Sequence, residues 1–154
     1  MTYFALSQSI LSYAIVNWGG CNKTTLLSLE RAQRAIIKVA TFKKFRYPTS
    51  LLYTEFRVLS VRKLYIKSTI LWQHQQPIID RFSSRLQYLA FRTPRCRTSF
   101  AQGFLFFLGP YLYNKLNKSM NFQIYTLKKC KRIITDYLMS LDYTNVENLL
   151  NVIS

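Results

Sequence analysis

Acidic side chains are the first group that could carry chemistry, because nucleotidyl transfer by the two-metal route needs clustered carboxylates near the reacting phosphate. The chain has only six acids, at Glu30, Glu55, Asp80, Asp136, Asp142 and Glu147. They lie far apart along the sequence, and none belongs to a paired carboxylate motif. We therefore expect each to be a solvated surface charge or the partner of a nearby Lys or Arg, and we expect no metal site.

The histidine and cysteine content predicts no other catalytic chemistry. His74 is the single histidine and has no cysteine at a zinc-ligand spacing on either side. Cys21, Cys96 and Cys130 are an odd, scattered set, which favours indifferent thiols in a reducing compartment over disulfides or a Cys–His nucleophile. The four glycines form no phosphate-binding loop. The sequence predicts a protein that is not an enzyme and needs no cofactor.

Basic side chains dominate the charge. The chain has 22 Lys and Arg against 6 Asp and Glu, a net charge of +16, which predicts a polyanionic partner. Arg31, Arg34 and Lys38 follow each other at i, i+3 and i+7, so they share one side of a helix. The residues that we expect to contact nucleic-acid phosphates are Arg31, Arg34, Lys38, Lys43, Lys44 and Arg46. A solvated helix face and an anionic membrane surface are the alternatives.

The charges stand on a helical framework. Leu6, Ile10 and Tyr13 have helical spacing before Gly19 and Gly20, and a second helix over residues 25–40 completes a helical hairpin. Its expected apolar stripe is Leu26, Leu29, Gln33, Ile36, Ile37 and Ala40.

Further along the chain, a short helix over residues 50–56 precedes a Ser60 cap and a helix over 61–76, in which we expect Leu71 and Trp72 to face a core and Arg62 and Lys67 to face water. Residues 104–108 suit a short strand or a helix, because periodicity does not separate the two in so short a run. A basic amphipathic helix follows from residue 121 and another from Thr144.

This pattern predicts a mainly α fold, with a helical hairpin and a small bundle. We expect a thumb-like helical region over residues 1–76, a basic loop over 77–102 that contains Arg81 and Arg85, and a helical region over 103–154. Hydrophobic residues make up 49% of the chain and aromatic residues 16%, so the chain should fold. Trp18, Trp72 and most phenylalanines are expected in the core.

Two apolar runs bear on localisation. Residues 3–20 are interrupted by polar side chains and lack the preceding positive region of a signal peptide. Residues 100–113 are shorter than the roughly 20 residues that span a bilayer. We therefore expect an intracellular protein, nuclear or cytoplasmic.

Four segments resemble, in order, a pattern from one protein family. The run YFALSQSILSYAIVNWGG followed by LLSLERAQRAIIKVA is similar to "LYxxLxxSxLxYGIxxWG … LxxLQxxQxRAIRxI". PTSLLYTEFRVLSVRKLYI is similar to "PTxxLFxxxGxLxLxxLY", and GPYLYNKLN to "GPxLWNxLP". These patterns come after the catalytic palm in reverse transcriptases of non-LTR retrotransposons, especially jockey-like elements.

The resemblance implies a thumb and the region downstream of it, a helical part that holds template and primer. The family's Tyr-x-Asp-Asp motif and its other metal-binding aspartate have no counterpart here, so polymerase activity is not implied for this chain alone. Ala14 stands where the family commonly has Gly. The remainder of a reverse transcriptase is one implied partner, and without it Leu6, Ile10 and Tyr13 would be left exposed.

The sequence therefore predicts a non-catalytic, reverse-transcriptase-like fragment of a transposable element that binds RNA or an RNA–DNA duplex through its phosphates. The alternatives are a peripheral protein whose basic helix near Lys128–Arg132 lies on anionic membranes, and an open reading frame without a cellular role.

Overall fold

A computed structural model describes residues 3–77 and 91–151, and regular secondary structure in these residues is helical throughout. The expectation of a mainly α fold is therefore confirmed. The chain divides into two compact units, Met1–Tyr65 and Ile66–Ser154. The three regions expected from the sequence stay a prediction, and residues 78–90 of the basic loop, with Arg81 and Arg85, lie outside the described residues.

The first unit opens with helical segments that are broken rather than continuous. Its elements are a π-helical segment Tyr3–Gln8, α1 (Ser9–Ser12), α2 (Ile15–Trp18), α3 (Lys23–Ala40), α4 (Thr49–Glu55) and the start of α5 (Val61–His74). Ala14 interrupts the predicted first helix, because its φ of 48° is left-handed. Leu6, Ile10 and Tyr13 are 60%, 74% and 81% exposed, so their expected exposure is confirmed.

Helix α3 buries a face that is partly polar. The buried residues are Leu26, Glu30, Gln33 and Ile37, whereas the predicted stripe wrongly included Ile36, which is 43% exposed, and Ala40. Gln33 tolerates burial because its amide is fully engaged. Its Nε2 donates to the Tyr3 hydroxyl and to the Leu59 carbonyl, each at 2.8 Å, and its Oε1 accepts from the Tyr53 hydroxyl at 3.2 Å. Gln33 thereby joins the N-terminal segment, α3 and α4.

An apolar cluster completes the first unit. Tyr3, Ile37, Leu52 and Val58 form it, with Tyr47, Tyr53 and Phe56 packed against it. A Cβ on Gly19 would lie 2.3 Å from the Tyr65 ring, so only glycine allows α2 to approach that ring so closely.

The predicted cap of α5 is confirmed, since the Lys63 N–H donates to Ser60 Oγ at 3.4 Å. The predicted face of α5 is partly wrong: Trp72 is 38% exposed, while Arg62 is only 8% exposed and Lys67 is half-buried. Val61, Leu64, Tyr65, Ile66 and Ile70 are buried, and a helix buried on most sides has a weak amphipathic pattern.

The second unit contains the rest of α5, α6 (Ser99–Gln102), α7 (Leu105–Met120), a 3₁₀ turn Phe122–Ile124, α8 (Leu127–Ser140) and α9 (Tyr143–Leu150). The predicted C-terminal helices are confirmed, except that the first begins at Leu127 rather than at residue 121. The alternative of a strand over 104–108 is wrong, because α7 begins at Leu105 and continues past Pro110. Leu108, Leu112 and Leu116 are buried and lie four residues apart, so they line one face of a helix and exclude the strand.

Polar side chains also anchor the second unit. Asn114 Nδ2 donates to the Phe91 carbonyl at 2.6 Å, and its Oδ1 accepts from the Phe91 N–H at 2.8 Å. A Cβ on Gly109 would lie 2.8 Å from Gln73 Oε1, so α7 approaches α5 closely at that glycine.

Candidate nucleic-acid interface

The predicted basic ridge begins on α3. Arg31 is exposed, and Arg34 and Lys38 are half-buried. Successive helical residues are offset by about 100°, so these three lie to one side of the buried face that Gln33 and Ile37 occupy. Arg31 and Lys38 are separated by about 10 Å along the helix axis. The ridge is therefore a track of cations beside the buried face of α3, not a point cluster.

The helix ends in a Schellman motif whose left-handed position is a phenylalanine. The Phe42 N–H donates to the Val39 carbonyl at 3.2 Å, and the Lys43 N–H donates to the Lys38 carbonyl at 2.9 Å. Phe42 has a φ of 54°. Glycine usually occupies this position, because a side chain there costs about 1–2 kcal/mol. The Phe42 side chain is 97% exposed, so packing within the described residues does not offset this cost.

A second tight turn comes directly after the first. The Tyr47 N–H donates to the Lys44 carbonyl at 3.0 Å, which makes Phe45 and Arg46 the central residues of a β-turn. Phe45 is 91% exposed. Lys38 Nζ donates to the Phe45 carbonyl and lies 5.5 Å from the centre of the Phe45 ring. Lys38 therefore holds the turn against the end of α3.

Glu55 on α4 pins the same segment from the other side. Lys43 Nζ donates to Glu55 Oε1 at 2.8 Å, and the Tyr47 hydroxyl donates to Glu55 Oε2. The Lys43 ammonium also lies 4.6 Å from the centre of the Tyr47 ring. The hydrogen bond to Glu55 raises the pKa of Lys43, and the bonds from Lys43 and Tyr47 lower the pKa of Glu55. Lys43 is thus engaged within the protein.

The six predicted residues therefore have different surroundings. All of them lie in one stretch of the first unit, with Arg31, Lys44 and Arg46 exposed. Lys38 and Lys43 hold the turn together, which their sequence positions did not reveal because Glu55 lies twelve residues beyond Lys43. The assignment of all six residues to phosphate contacts stays a prediction, and Arg31, Lys44 and Arg46 offer the more accessible charges.

Sequence reasoning missed the exposed aromatic rings beside these cations. The expectation that most phenylalanines are core is wrong for this region, because Phe42 and Phe45 are almost fully exposed. Phe100 and Phe106 are 65% and 58% exposed, while Phe107 and Phe122 are buried. The run Phe42-Lys43-Lys44-Phe45-Arg46 was the available signal, since these phenylalanines lie among cations and beyond the predicted end of the helix at residue 40.

Helix α8 presents a second set of cations. Lys128, Lys129, Lys131 and Arg132 are exposed, whereas Cys130, Ile134 and Leu138 are fully buried. Burial and then the nearby charge of Lys131 lower the pKa of Lys67. The apolar face of α8 packs inside its own unit, so it is not available to lie on a lipid surface.

His74 and Cys130 both lie near Tyr113 in the second unit. His74 Nδ1 is 2.9 Å from the Tyr113 hydroxyl and His74 Nε2 is 3.2 Å from the Tyr125 carbonyl, so both ring nitrogens are occupied. Burial raises the pKa of Cys130 to about 11 and is the main cause that raises the pKa of Tyr113 to about 12. A thiol that is so hard to ionise is a poor nucleophile. His74, Cys130 and Tyr113 therefore contribute to packing within the second unit.

The acids are more varied than expected. Glu30 is only 6% exposed, so it is not a solvated surface charge, and the alternative that it pairs with a nearby Lys or Arg stays a prediction. Asp80 lies outside the described residues. Among residues 3–77 and 91–151, no three His, Cys, Asp or Glu side chains are grouped so that they could hold a metal ion. Cys21, Cys96 and Cys130 are free thiols.

None of the described helices has both the length and the apolar character required to cross a bilayer. In comparisons with known proteins, no family model matches the chain, and no curated protein or solved structure is significantly similar to it. The function must therefore be argued from the residues themselves.

Proposed function

We propose that the chain is a thumb-like, non-catalytic module of non-LTR reverse-transcriptase type that binds RNA or an RNA–DNA hybrid through its phosphates, inside the cell. The observation that carries this proposal is that Arg31 on α3 and Lys44 and Arg46 in the adjoining turns are exposed cations, in a chain of net charge +16. Arg31, Arg34, Lys44 and Arg46 are the phosphate-binding groups. Lys38 and Lys43 hold the turns that present them.

The local charge balance supports a polyanion as the ligand. Glu55 accepts hydrogen bonds from Lys43 and Tyr47, and the other acid of this region, Glu30, is buried on α3. The remaining cations repel each other, and phosphates that replace condensed counterions relieve that repulsion. Guanidinium groups of Arg31, Arg34 and Arg46 suit phosphate because each presents parallel N–H donors.

Backbone conformation supports the reverse-transcriptase resemblance independently of charge. The family pattern has Gly at the positions of Ala14 and Arg57, and both residues are left-handed here, with φ of 48° and 51°. The Arg57 N–H donates to Thr54 O at 3.2 Å and the Val58 N–H to Tyr53 O at 3.0 Å, which forms a Schellman motif. If the chain inherited its fold from this family, the two left-handed turns would persist after other residues had replaced the glycines.

Other positions of the pattern have packing roles that a shared fold requires. Gly19 is retained where any side chain would clash with Tyr65, and both residues belong to the quoted patterns. Asn114 of the last pattern holds Phe91 by two hydrogen bonds. The membrane alternative gains no such support, because the apolar face of α8 is buried.

The test is the salt dependence of binding. The full chain is titrated onto a labelled RNA–DNA hybrid and onto single-stranded RNA from about 50 to 200 mM salt. Each single-strand phosphate contact contributes about 0.7 to the slope of log K against log salt, so replacing Arg31, Arg34, Lys44 and Arg46 with Gln should lower the slope by about three.

Circular dichroism of the variant must match the helical spectrum of the wild type, which shows that lost binding is not lost folding. An unchanged slope in a folded variant would mean that these cations do not contact phosphates. Wild-type protein that binds neither nucleic acid at low salt would end the proposal.

A further inference from the structure

The turns at the end of α3 carry two aromatic side chains that contribute nothing to the core. Phe42 and Phe45 are 97% and 91% exposed, and each occupies a tight turn. Phe42 also adopts a left-handed conformation that disfavours any side chain with a Cβ. Strained positions persist where the surroundings impose them, and they cluster where a ligand uses the strained group.

We propose that Phe42 and Phe45 form a platform on which unpaired bases of single-stranded RNA stack, while Lys44 and Arg46 bind the neighbouring phosphates. The inference rests on the proposed function and narrows it, because it names unpaired bases as the groups recognised beside the phosphates. Every base has an aromatic face, so such stacking is tolerant of sequence. Duplex regions keep their bases stacked and enclosed and would meet only the cations.

The close spacing of rings and cations along residues 42–46 suits this ligand. Lys43 and Lys44 lie between Phe42 and Phe45 in the sequence, and Arg46 follows Phe45. A nucleic-acid strand likewise presents its bases close to its phosphates. Lys38 covers part of the Phe45 ring at 5.5 Å, yet the side chain remains 91% exposed.

The platform is held in place before any ligand binds. Lys38 donates to the Phe45 carbonyl, and Glu55 accepts from Lys43 and Tyr47. Binding therefore requires little ordering of this segment, which preserves the free energy that stacking provides. Glu55 is a positioning residue in this arrangement.

The direction of the cation track favours a strand over a membrane. Arg31 lies about 10 Å along α3 from Lys38, so the basic ridge leads away from the aromatic turns along the helix. A nucleic-acid backbone can follow such a track from the ridge to the turns. Insertion of the two rings into a lipid surface would not require cations spread about 10 Å along α3.

The experiment compares two strands of equal charge. One is single-stranded RNA of about 12 nucleotides, and the other is an abasic phosphodiester strand of the same length. Wild-type full chain should bind the base-bearing strand on the order of 10-fold or more tightly, since each stacked base contributes that much. The Phe42→Ala/Phe45→Ala variant should lose this preference and keep the abasic affinity and the salt slope.

Two further variants serve as controls, one for exposed rings elsewhere in the chain and one for stability. Phe100→Ala/Phe106→Ala removes two exposed rings from the second unit and should keep the preference. Phe42→Gly should raise the urea midpoint of unfolding, because it relieves the left-handed strain, while it weakens binding to the base-bearing strand. Weaker binding in a more stable protein cannot come from misfolding.

The outcomes separate this inference from the function on which it rests. Equal wild-type affinity for both strands would overturn stacking and leave phosphate binding intact, whereas binding to neither would overturn both. Loss of binding to phosphatidylserine vesicles in Phe42→Ala/Phe45→Ala, with the strand preference unchanged, would assign the rings to a membrane and overturn stacking.

Discussion

Two basic regions of this protein carry similar charge, but one buries its apolar side chains and the other exposes them. Helix α8 exposes Lys128, Lys129, Lys131 and Arg132 and buries Ile134 and Leu138 completely. The segment from the end of α3 to Tyr47, by contrast, exposes Lys44 and Arg46 together with the rings of Phe42 and Phe45. Charge alone does not distinguish the two regions.

Burial or exposure of the apolar residues, rather than charge, therefore distinguishes an ordinary amphipathic helix from a candidate binding surface. The apolar residues of α8 pack in the core of their own unit, and its cations face solvent, as in an ordinary amphipathic helix. Phe42 and Phe45 have no such explanation, because exposure of a large ring gains nothing for folding. Substitutions in the two regions, and a change of pH, test this difference.

The largest effect should come from shortening one aliphatic side chain in each region. Ile134→Ala should lower the free energy of unfolding by about 2–5 kcal/mol, because Ile134 is fully buried and its loss leaves a cavity. Val39→Ala, at the end of α3, should change it by less than about 0.5 kcal/mol, since Val39 is 77% exposed. Urea unfolding monitored by circular dichroism measures both. Equal losses of unfolding free energy in the two variants would contradict the difference between the regions.

Removal of four charges from each region should affect RNA binding unequally. We expect Arg31, Arg34, Lys44 and Arg46 to Gln to weaken binding on the order of 100-fold at low salt, because four phosphate contacts disappear. The same change at Lys128, Lys129, Lys131 and Arg132 removes the same charge and should weaken binding only a few-fold through the long-range field. Fluorescence anisotropy at fixed salt compares them. Similar losses would show that net charge, not location, controls affinity.

Left-handed residues should respond to glycine differently in the two units. Ala14→Gly should stabilise the protein by about 0.5–1 kcal/mol, because relief of strain exceeds the entropy that glycine adds to the unfolded chain. Asn121→Gly, where φ is also 48°, should change stability little, since asparagine tolerates that conformation. The urea midpoint reports both. A destabilised Ala14→Gly would remove the argument that the first unit stores strain.

Alkaline pH should weaken both units gradually. Burial raises the pKa of Cys130 from 9.0 to about 11 and chiefly raises that of Tyr113 from 10.0 to about 12, and burial also raises the pKa of Tyr3. The folded protein holds these protons more tightly than the unfolded chain, so their contribution is complete below about pH 9 and disappears as pH rises towards 12.

The thermal midpoint measured from pH 8 to 11 should therefore fall, and Cys130→Ala should flatten the first part of that fall. A midpoint that rises over this interval would contradict the burial of these groups.

Much of the fold followed from local pattern. Ser60 capped α5 as expected because the cap is set by residues three apart, and the helices after residue 121 followed from apolar spacing. The faces of α3 and α5 were predicted less well. Ile36 and Trp72 were expected to be buried and are exposed, while Glu30 and Arg62 are buried. Hydrophobicity ranks side chains but does not reveal which polar groups will find partners.

The helical and basic character of the protein, and its lack of a clustered carboxylate motif, follow from the sequence because they depend on composition and short spacing. The conformation of the basic segment depends instead on tertiary contacts. Glu55 engages Lys43, Lys38 engages the Phe45 carbonyl, and Phe42 stands exposed in a left-handed turn. Those outcomes depend on where α3 ends and which residues of α4 lie beside it, and such long-range contacts leave no local trace in the sequence.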